Sequence, residues 1–371
     1  MKRLVISEIF PPVHGGSGRW FWELYSRLPT QENCLAVGQS AKAEDFDKNH
    51  DLNVHRLNLS SSEWGVKSLD GLKFYWKTFW ALRQIVKKEQ VSAIHCGRCI
   101  PEGVVGLLLS YWFGLPLICY IHGEDVETAA KSREHSLLVK QVFKRSSKLI
   151  CNSKNTARLL AEKWRVQASK IAILHPGVDA HKFVPNLPAP SARAKLNWGD
   201  RPVLLTVGRL QKRKGHDVLI RAVKELITDV PNILYCIVGD GLEKVALEKL
   251  VAELNLTNNV LFMSEISDDL MLTCYQQCDI FILPNRTIDN DIEGFGMVLV
   301  EAQSCGKPVI AGDSGGTAET MLVEKSGLVL DCTSPTHLVR EINKLLANPD
   351  KIKEMGAAGR EHVLTNLDWQ A

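Results

Sequence analysis

The chain has 371 residues, 45% of them hydrophobic and 23% charged, with a formal net charge of +3. That is the composition of a soluble globular protein with room for two domains, each with its own core, and it excludes a disordered chain. So small a charge excess also argues against nucleic acid as a partner, and the longest apolar run, Val104 to Phe113, stops at Gly114-Leu115-Pro116, short of the roughly 18 residues that span a bilayer.

In chain order, Arg3 to Ile9 reads as an opening strand rather than a signal peptide, because Pro11-Pro12 follows it at once. The loop Pro11 to Gly18 contains Gly15 and Gly16, and Trp20 to Leu28 has helical spacing. Strand, glycine loop and helix together make a phosphate-site layout, although the spacing is not G-x-G-x-x-G and no P-loop lysine follows. Short strands are expected at Leu35 to Val37 and Val54 to Leu57. Leu69 to Lys88 reads as a long helix with an apolar stripe through Leu72, Trp76, Phe79, Leu82 and Val86. It also carries Phe74, Tyr75 and Trp80 among Lys73, Lys77, Arg83, Lys87 and Lys88; the leading reading is a stripe that covers the sheet, and the composition also allows a place in a lipid headgroup layer.

Ala93 to His95 is a strand, Val104 to Phe113 a buried helix, and Pro116 to Ile121 a buried strand ending at His122-Gly123-Glu124-Asp125. In an open parallel sheet ligands collect beyond the carboxyl ends of strands, which makes His122 a candidate, though a lone histidine is more often structural. Of the ten cysteines, Cys96 and Cys99 alone have C-x-x-C spacing. With no second pair to complete a metal site, the set reads as buried thiols in a reducing cytoplasm.

Lys148 to Ser153, Thr156 to Lys163 and the strand from Ile171 close the first half. Val184 to Ala194 holds Pro185, Pro188 and Pro190 without apolar period and reads as a linker. The expected division is residues 1–184, a linker at 185–200, and a second domain at 201–371. The second domain restarts with strand Val203 to Val207, then Gly208-Arg209 and, five residues on, Lys214-Gly215. An arginine fork and a lysine point charge on a loop after a strand can neutralise a diphosphate, although such clusters are often only solvated loops. Strands at Ile233 to Val238 and Val260 to Phe262 follow, the latter leading to Ser264-Glu265-Ile266.

The most informative stretch runs from Asp279 to Gly316. Apolar strands at Asp279 to Leu283 and Pro308 to Ala311 flank the loop Gly294-Phe295-Gly296 and a helix from Met297 to Ser304, stopped by Gly306. The loop delivers backbone N–H groups to a helix N-terminus, which favours a bound anion. Glu293 stands outside that end and Glu301 lies within the helix. At a rise of about 1.5 Å per residue their carboxylates are roughly 9 to 12 Å apart. This spacing is too wide to share a proton or a metal and suits an extended ligand with hydroxyl groups on both sides of a phosphate. Asp289-Asn290-Asp291 is a D-x-D, a possible metal motif, but the two cations of Arg209 and Lys214 already supply the opposing charge.

The run EGFGMVLVEAQSCGKPVIAGDSGG resembles the E-x7-E signature of the retaining nucleotide-sugar glycosyltransferases of family 4, nearest in wording to the phosphatidylinositol mannosyltransferase branch. The loop around Gly15 and Gly16, the H-G-x-[DE] element at His122, the segment Pro176-Gly177-Val178-Asp179 and the G-R-x-x-x-x-K-G element resemble the same family, so the likeness covers most of the chain. It implies a GT-B architecture, α/β, with two Rossmann-like domains facing across a cleft. It implies Arg209, Lys214 and Gly294 to Gly296 on the donor diphosphate and Glu293 on the sugar. It further implies Glu301 on the ribose, Ile266 near the base, His122 beside the transferred sugar, and Gly15 and Gly16 against donor phosphates and acceptor. No metal or other cofactor is implied, and the partners are a nucleotide-sugar donor and a glycolipid or glycan acceptor; the aromatic and basic residues of Leu69 to Lys88 add an expected peripheral contact with the inner membrane leaflet. The family's usual glycine is missing beside Ile266, which leaves the base open. Family members usually continue beyond a tryptophan like Trp369 into a helix returning to the first domain, so an end at Ala371 implies either truncation or a less tethered closure. A family member without catalysis, or a nicotinamide oxidoreductase lacking its G-x-G-x-x-G, are the alternatives.

Overall fold

A computed structural model describes every residue except His14, Ser62, Leu187, Pro188 and Ala371. The chain divides into two compact units, Met1–His175 and Pro176–Ala371. In the first, β1 (Arg3–Ser7), β2 (Asn33–Gly38), β3 (Asn53–Leu57), β4 (Ala93–Cys96), β5 (Leu117–Ile121), β6 (Lys148–Cys151) and β7 (Ile171–Ile173) form one sheet. Their order is β3-β2-β1-β4-β5-β6-β7, and every neighbouring pair is parallel. In the second, β8 (Val203–Val207), β9 (Leu234–Val238), β10 (Val260–Met263), β11 (Ile280–Leu283), β12 (Val309–Gly312) and β13 (Gly327–Leu330) run in the order β10-β9-β8-β11-β12-β13, again all parallel.

The near-continuous apolar runs of the central strands follow from burial on both faces by helices; every residue of β8, β9 and β11 is buried. Strand order reverses between β1 and β4 in one sheet and between β8 and β11 in the other. Beyond the carboxyl ends of strands at such a reversal the flanking loops diverge and leave a crevice. The loops that follow β8 and β11 are those carrying Arg209, Lys214 and Glu293.

Two expectations need correction. The boundary lies at His175/Pro176 rather than at 184, and the proline-rich stretch is not a free linker. Val178, Ala180 and Phe183 are buried in the core of the second unit, and the Arg360 guanidinium donates to the carbonyls of Ala180 (2.9 Å) and Phe183 (2.8 Å). Pro190 opens a helix, Pro190–Lys195, because a proline at the first helical position gives up only an N–H that would be unpaired there anyway. Arg193 in that helix donates to the Gly199 carbonyl at 2.7 Å, and Leu196 and Trp198 join the core. Leu187 and Pro188, which belong to the expected linker, lie outside the described residues. The first helix is also longer at its start than expected, Gly16–Ser26.

Helix Leu69–Lys88 has the expected bounds, with Ser68 accepting from the Gly71 amide at 3.0 Å as its N-cap. Its buried face is Tyr75, Phe79, Leu82, Ile85 and Val86, whereas Leu72 and Trp76 of the expected stripe are exposed. All ten cysteines are buried free thiols. Burial pushes Cys96 and Cys99 upward, which leaves them unreactive rather than redox-poised.

Candidate functional site

The site of the second unit is built where three loops are pinned together. Gly215, at the end of the β8 loop, has φ 70°, and a Cβ there would stand 1.8 Å from the Pro284 carbonyl oxygen after β11. Glycine is therefore required for this approach. Arg286 donates its amide to the Arg213 carbonyl at 2.8 Å and its guanidinium to Asp217 at 3.0 Å. Asn285 closes the third side, accepting from the Gly312 amide (3.1 Å) and donating to the Ser314 carbonyl (3.2 Å). Gly315, with φ 68°, lets the D-S-G-G turn lie against the Glu293 backbone, whose carbonyl accepts from Gly316 at 2.9 Å.

These pins bring together side chains 79 and 80 positions apart in sequence. The Glu293 Oε2 accepts from Lys214 Nζ at 2.6 Å and from Arg213 Nη1. Arg213 Nε lies 3.2 Å from Asp291 Oδ1. Lys214, Arg213 and Glu293 are all buried. Burial would raise the Glu293 carboxyl, but the two cations overcome it and hold it at about 2. For Lys214 burial wins over its partner and lowers the ammonium below its ordinary value. Arg209 differs: it is exposed, and its guanidinium has no hydrogen-bond or ion-pair partner among the described residues.

Asp291 of the D-x-D is thus bound by an arginine, and Asp289 sits in the left-handed region with φ 53° in the turn closed by Ile288 and Asp291. Among the described residues the group close enough to share an ion is Cys34, His55 and Glu89, in the first unit, where the Lys2 ammonium already sits on Glu89. The helix after Glu293 runs Met297–Ser304 as expected. Gly296 at its N-cap has φ 97°, and no side chain caps it. Phe295 and Gly296 are buried and Gly294 half-buried. Glu301 is not a solvated helix residue: it is 3% exposed, and its Oε2 accepts from the Tyr275 hydroxyl at 2.6 Å. Ile266 packs half-buried against the core on that side, just past β10.

In the first unit, Gly15 and Gly16 start helix Gly16–Ser26, again without a side-chain cap. A Cβ on Gly15 would meet Ile9 at 2.9 Å, while one on Gly16 would meet nothing within 4 Å. Gly15 is needed for packing, and Gly16 leaves open space. His14 of this loop lies outside the described residues. His122 follows β5 with Nε2 2.7 Å from the Gly97 carbonyl oxygen, so Nε2 carries the proton and Nδ1 the lone pair. Trp20 and Phe21 stand edge-on to the ring, centroids 5.5 and 5.9 Å away. Burial lowers the imidazole, against the pull of Asp125, and keeps it neutral. Nearby, Glu102 is buried and pushed up to about 6, with Oε1 accepting from the Glu8 amide at 3.1 Å.

Sequence reasoning missed Arg213, Tyr275 and the Trp20–Phe21 wall. The only sequence signal for Arg213 was its place in the run Lys212-Arg213-Lys214.

The family profile described as Glycosyltransferase Family 4 matches residues 14–182, and that described as Glycosyl transferases group 1 matches residues 189–362. A GDP-mannose-dependent alpha-(1-6)-phosphatidylinositol monomannoside mannosyltransferase of Mycobacterium tuberculosis is 30% identical, over 99% of this chain and 94% of the relative. A GDP-mannose-dependent monoacylated alpha-(1-6)-phosphatidylinositol monomannoside mannosyltransferase of Corynebacterium glutamicum is 29% identical, over 100% and 95%. Among solved structures, Anabaena HepE in complex with UDP aligns with a TM-score of 0.82 at 20% identity, covering 100% of this chain and 96% of that one. WaaG, a glycosyltransferase involved in lipopolysaccharide biosynthesis, aligns at 0.74 and 19%, covering 99% and 96%. These structural likenesses are of fold, the GT-B architecture with two Rossmann-like domains.

Proposed function

Because the chain belongs to glycosyltransferase family 4, we propose that it is a retaining hexosyltransferase using a nucleotide-diphosphate sugar without a metal ion. The observation that carries this reading is the pair of buried cations, Arg213 and Lys214, on Glu293 at the carboxyl ends of β8 and β11, with Arg209 exposed on the same loop. Departure of the nucleoside diphosphate develops negative charge. Arg209, Lys214 and the amides of Gly294 to Gly296 would stabilise it. Glu293 would accept hydrogen bonds from the sugar hydroxyls and Glu301 from the ribose. Ile266 would lie by the base, and His122, with Gly15 and Gly16, would border the sugar and acceptor. No side chain is assigned as a covalent nucleophile; in the same-face attack the leaving phosphate helps take the acceptor proton.

The relatives' names favour GDP-mannose as donor and a phosphatidylinositol monomannoside-type lipid as acceptor. A nucleotide-sugar binder without transfer is the second reading, and donor hydrolysis separates the two. The oxidoreductase alternative has no support in these matches.

Transfer is expected to persist in excess EDTA, since the protein's own cations face the diphosphate; loss in EDTA with recovery on manganese would reassign Asp289 and Asp291 as ligands. Glu301→Ala is expected to weaken binding of the free nucleoside diphosphate by about 1 to 2 kcal/mol, the loss of a charge-assisted hydrogen bond to the ribose. Unchanged affinity in a titration would remove Glu301 from the donor site.

The reading includes peripheral attachment to an anionic bilayer at the cytoplasmic face, where a lipid acceptor would be found. Among the described residues no helix is long and apolar enough to cross a membrane. Helices Leu69–Lys88 and Glu102–Phe113 do present a shared aromatic surface. Trp76 is 65% and Trp112 59% exposed, Trp80 packs edge-on to both at 5.5 and 6.4 Å, and Arg83 stands over Trp80 and Trp112 at 5.0 and 5.7 Å. Indole rings with basic neighbours, here Lys73 and Lys77, suit the interface of an anionic membrane. Each basic residue there contributes about 1 kcal/mol. Co-sedimentation with phosphatidylserine-containing vesicles is expected at low salt, weakened by salt, by Lys73→Glu plus Lys77→Glu, and by Trp76→Ser plus Trp112→Ser. Absence of binding at low salt would point to a soluble acceptor.

A further inference from the structure

We propose that Arg213 is a positioning residue that keeps the Glu293 carboxylate in place when the Lys214 ammonium turns to the donor diphosphate. This rests on the nucleotide-sugar reading above. One oxygen, Glu293 Oε2, serves both cations, yet the two are held very differently. Lys214 is a compact charge on a flexible four-carbon arm with three rotatable donors, so it can turn to a second anion without moving its backbone. Arg213 is a planar fork held through Nη1 on Glu293 and Nε at 3.2 Å from Asp291, on a backbone whose carbonyl accepts from the Arg286 amide at 2.8 Å. It is 5% exposed, so little room is left for another arrangement.

A diphosphate entering beside Lys214 competes with Glu293 for the ammonium. Without Arg213 the carboxylate would then be a buried, unpaired anion, which in a protein interior either takes up a proton or swings toward water. In both cases it ceases to be an oriented acceptor for sugar hydroxyls. With Arg213 in place, Glu293 keeps a charged partner throughout, and its other oxygen remains directed by the fork. Asp291 acts one step further back, by holding the opposite edge of the same guanidinium. The D-x-D sequence thereby acquires a role that involves no metal.

The test compares wild type with Arg213→Gln, Arg213→Lys and Asp291→Asn, using GDP and GDP-mannose, and UDP and UDP-glucose, as probes. The measurements are dissociation constants from titration and donor-hydrolysis kcat and KM. For Arg213→Gln kcat at saturating donor is expected to fall by about tenfold or more; the nucleoside-diphosphate Kd weakens as well, because binding then strands the Glu293 carboxylate, and adding Glu293→Gln should restore it. Arg213→Lys should fall between the two. Asp291→Asn should lose less, and combining it with Arg213→Gln should add nothing, because both changes act through one contact. Should Arg213→Gln fold poorly, Asp291→Asn and Arg213→Lys carry the same kcat-against-Kd comparison. Unchanged kcat would overturn the proposal. A nucleoside-diphosphate Kd that stays as weak when Glu293→Gln is added to Arg213→Gln would overturn it too, making Arg213 a phosphate ligand. If wild type binds none of the four probes, the donor reading fails and takes this proposal with it. If wild type binds and turns over while Arg213→Gln matches it, only the positioning role fails.

Discussion

Glu293→Gln is expected to tighten binding of a nucleoside diphosphate while hexose transfer collapses. In the free protein Glu293 neutralises two buried cations, Lys214 and Arg213, and thus competes with phosphate for Lys214. Removing its charge leaves Lys214 buried without an anion, so an arriving diphosphate meets a less satisfied cation. A gain of about 1 kcal/mol, or roughly fivefold in affinity, is the expected order for one such contact. Turnover should fall by about 100-fold or more, because the hydroxyls of the sugar lose a charged acceptor that matters most as positive charge develops on the ring. Removing one partner of a buried pair typically costs about 3 kcal/mol of stability, and saturating nucleotide should recover part of that by mass action.

The same variant has a pH signature. The Glu293 carboxyl is held at about 2, below its ordinary value of 4.5. A carboxyl lowered by folding stabilises the native state fully above its unfolded pKa and loses that contribution as pH falls through the folded one. The window is therefore from about 4.5 down to about 2, and Glu293→Gln should flatten that limb of the stability curve. Nucleotide affinity that falls with Glu293→Gln would contradict the assignment of Glu293 to the sugar.

Arg209→Ala and Lys214→Ala are expected to lose similar amounts of nucleotide affinity and to differ in stability. Charge-assisted bonds to phosphate are worth about 1.5 to 3 kcal/mol, so either variant should bind a nucleoside diphosphate about 10- to 150-fold more weakly. Arg209 is exposed and its guanidinium is unpaired among the described residues, so its removal should leave the stability within about 0.5 kcal/mol of wild type. Lys214 is buried on Glu293, and its loss should destabilise the protein, moderated because Arg213 still holds the carboxylate. Calorimetric titration with parallel thermal melts checks both. Wild-type affinity in both variants would exclude this loop from the donor site.

Local chemistry made a good part of this legible. Helix Met297–Ser304, strand Val203–Val207 and helix Leu69–Lys88 have the bounds read from the sequence. Each is fixed by signals within a few residues: a glycine start and stop, a continuous apolar run, a serine cap. The glycines of the site were legible as loop glycines, but not what they approach; only the fold brings the Pro284 carbonyl over Gly215.

What was not legible depends on contacts between distant positions. Arg213 looked like one more cation in a basic run, and its engagement of Glu293 and Asp291 arises because β8 and β11 are neighbours in the sheet. Pro185 and Pro190 suggested a spacer, whereas Pro190 starts a helix and the chain before it is tied to the second core through Phe183 and Arg360. On helix Leu69–Lys88 a stripe drawn at 3.6-residue period included Leu72 and Trp76, but the buried face runs through Gly71, Tyr75, Thr78, Leu82 and Ile85, and Leu72 and Trp76 lie to one side of it, facing solvent. Periodicity shows that a face is apolar; it does not show which edge of that face is covered.

The most direct measurement is release of nucleoside diphosphate and free hexose from GDP-mannose and UDP-glucose in excess EDTA, with the anomer of the newly formed sugar read by NMR before it equilibrates. The account predicts release from at least one donor by wild type, the donor's own anomeric configuration in the product, and loss of activity in Lys214→Ala and Glu293→Gln. No release from either donor, together with no nucleotide binding, would contradict it, and a product of inverted configuration would contradict its mechanism.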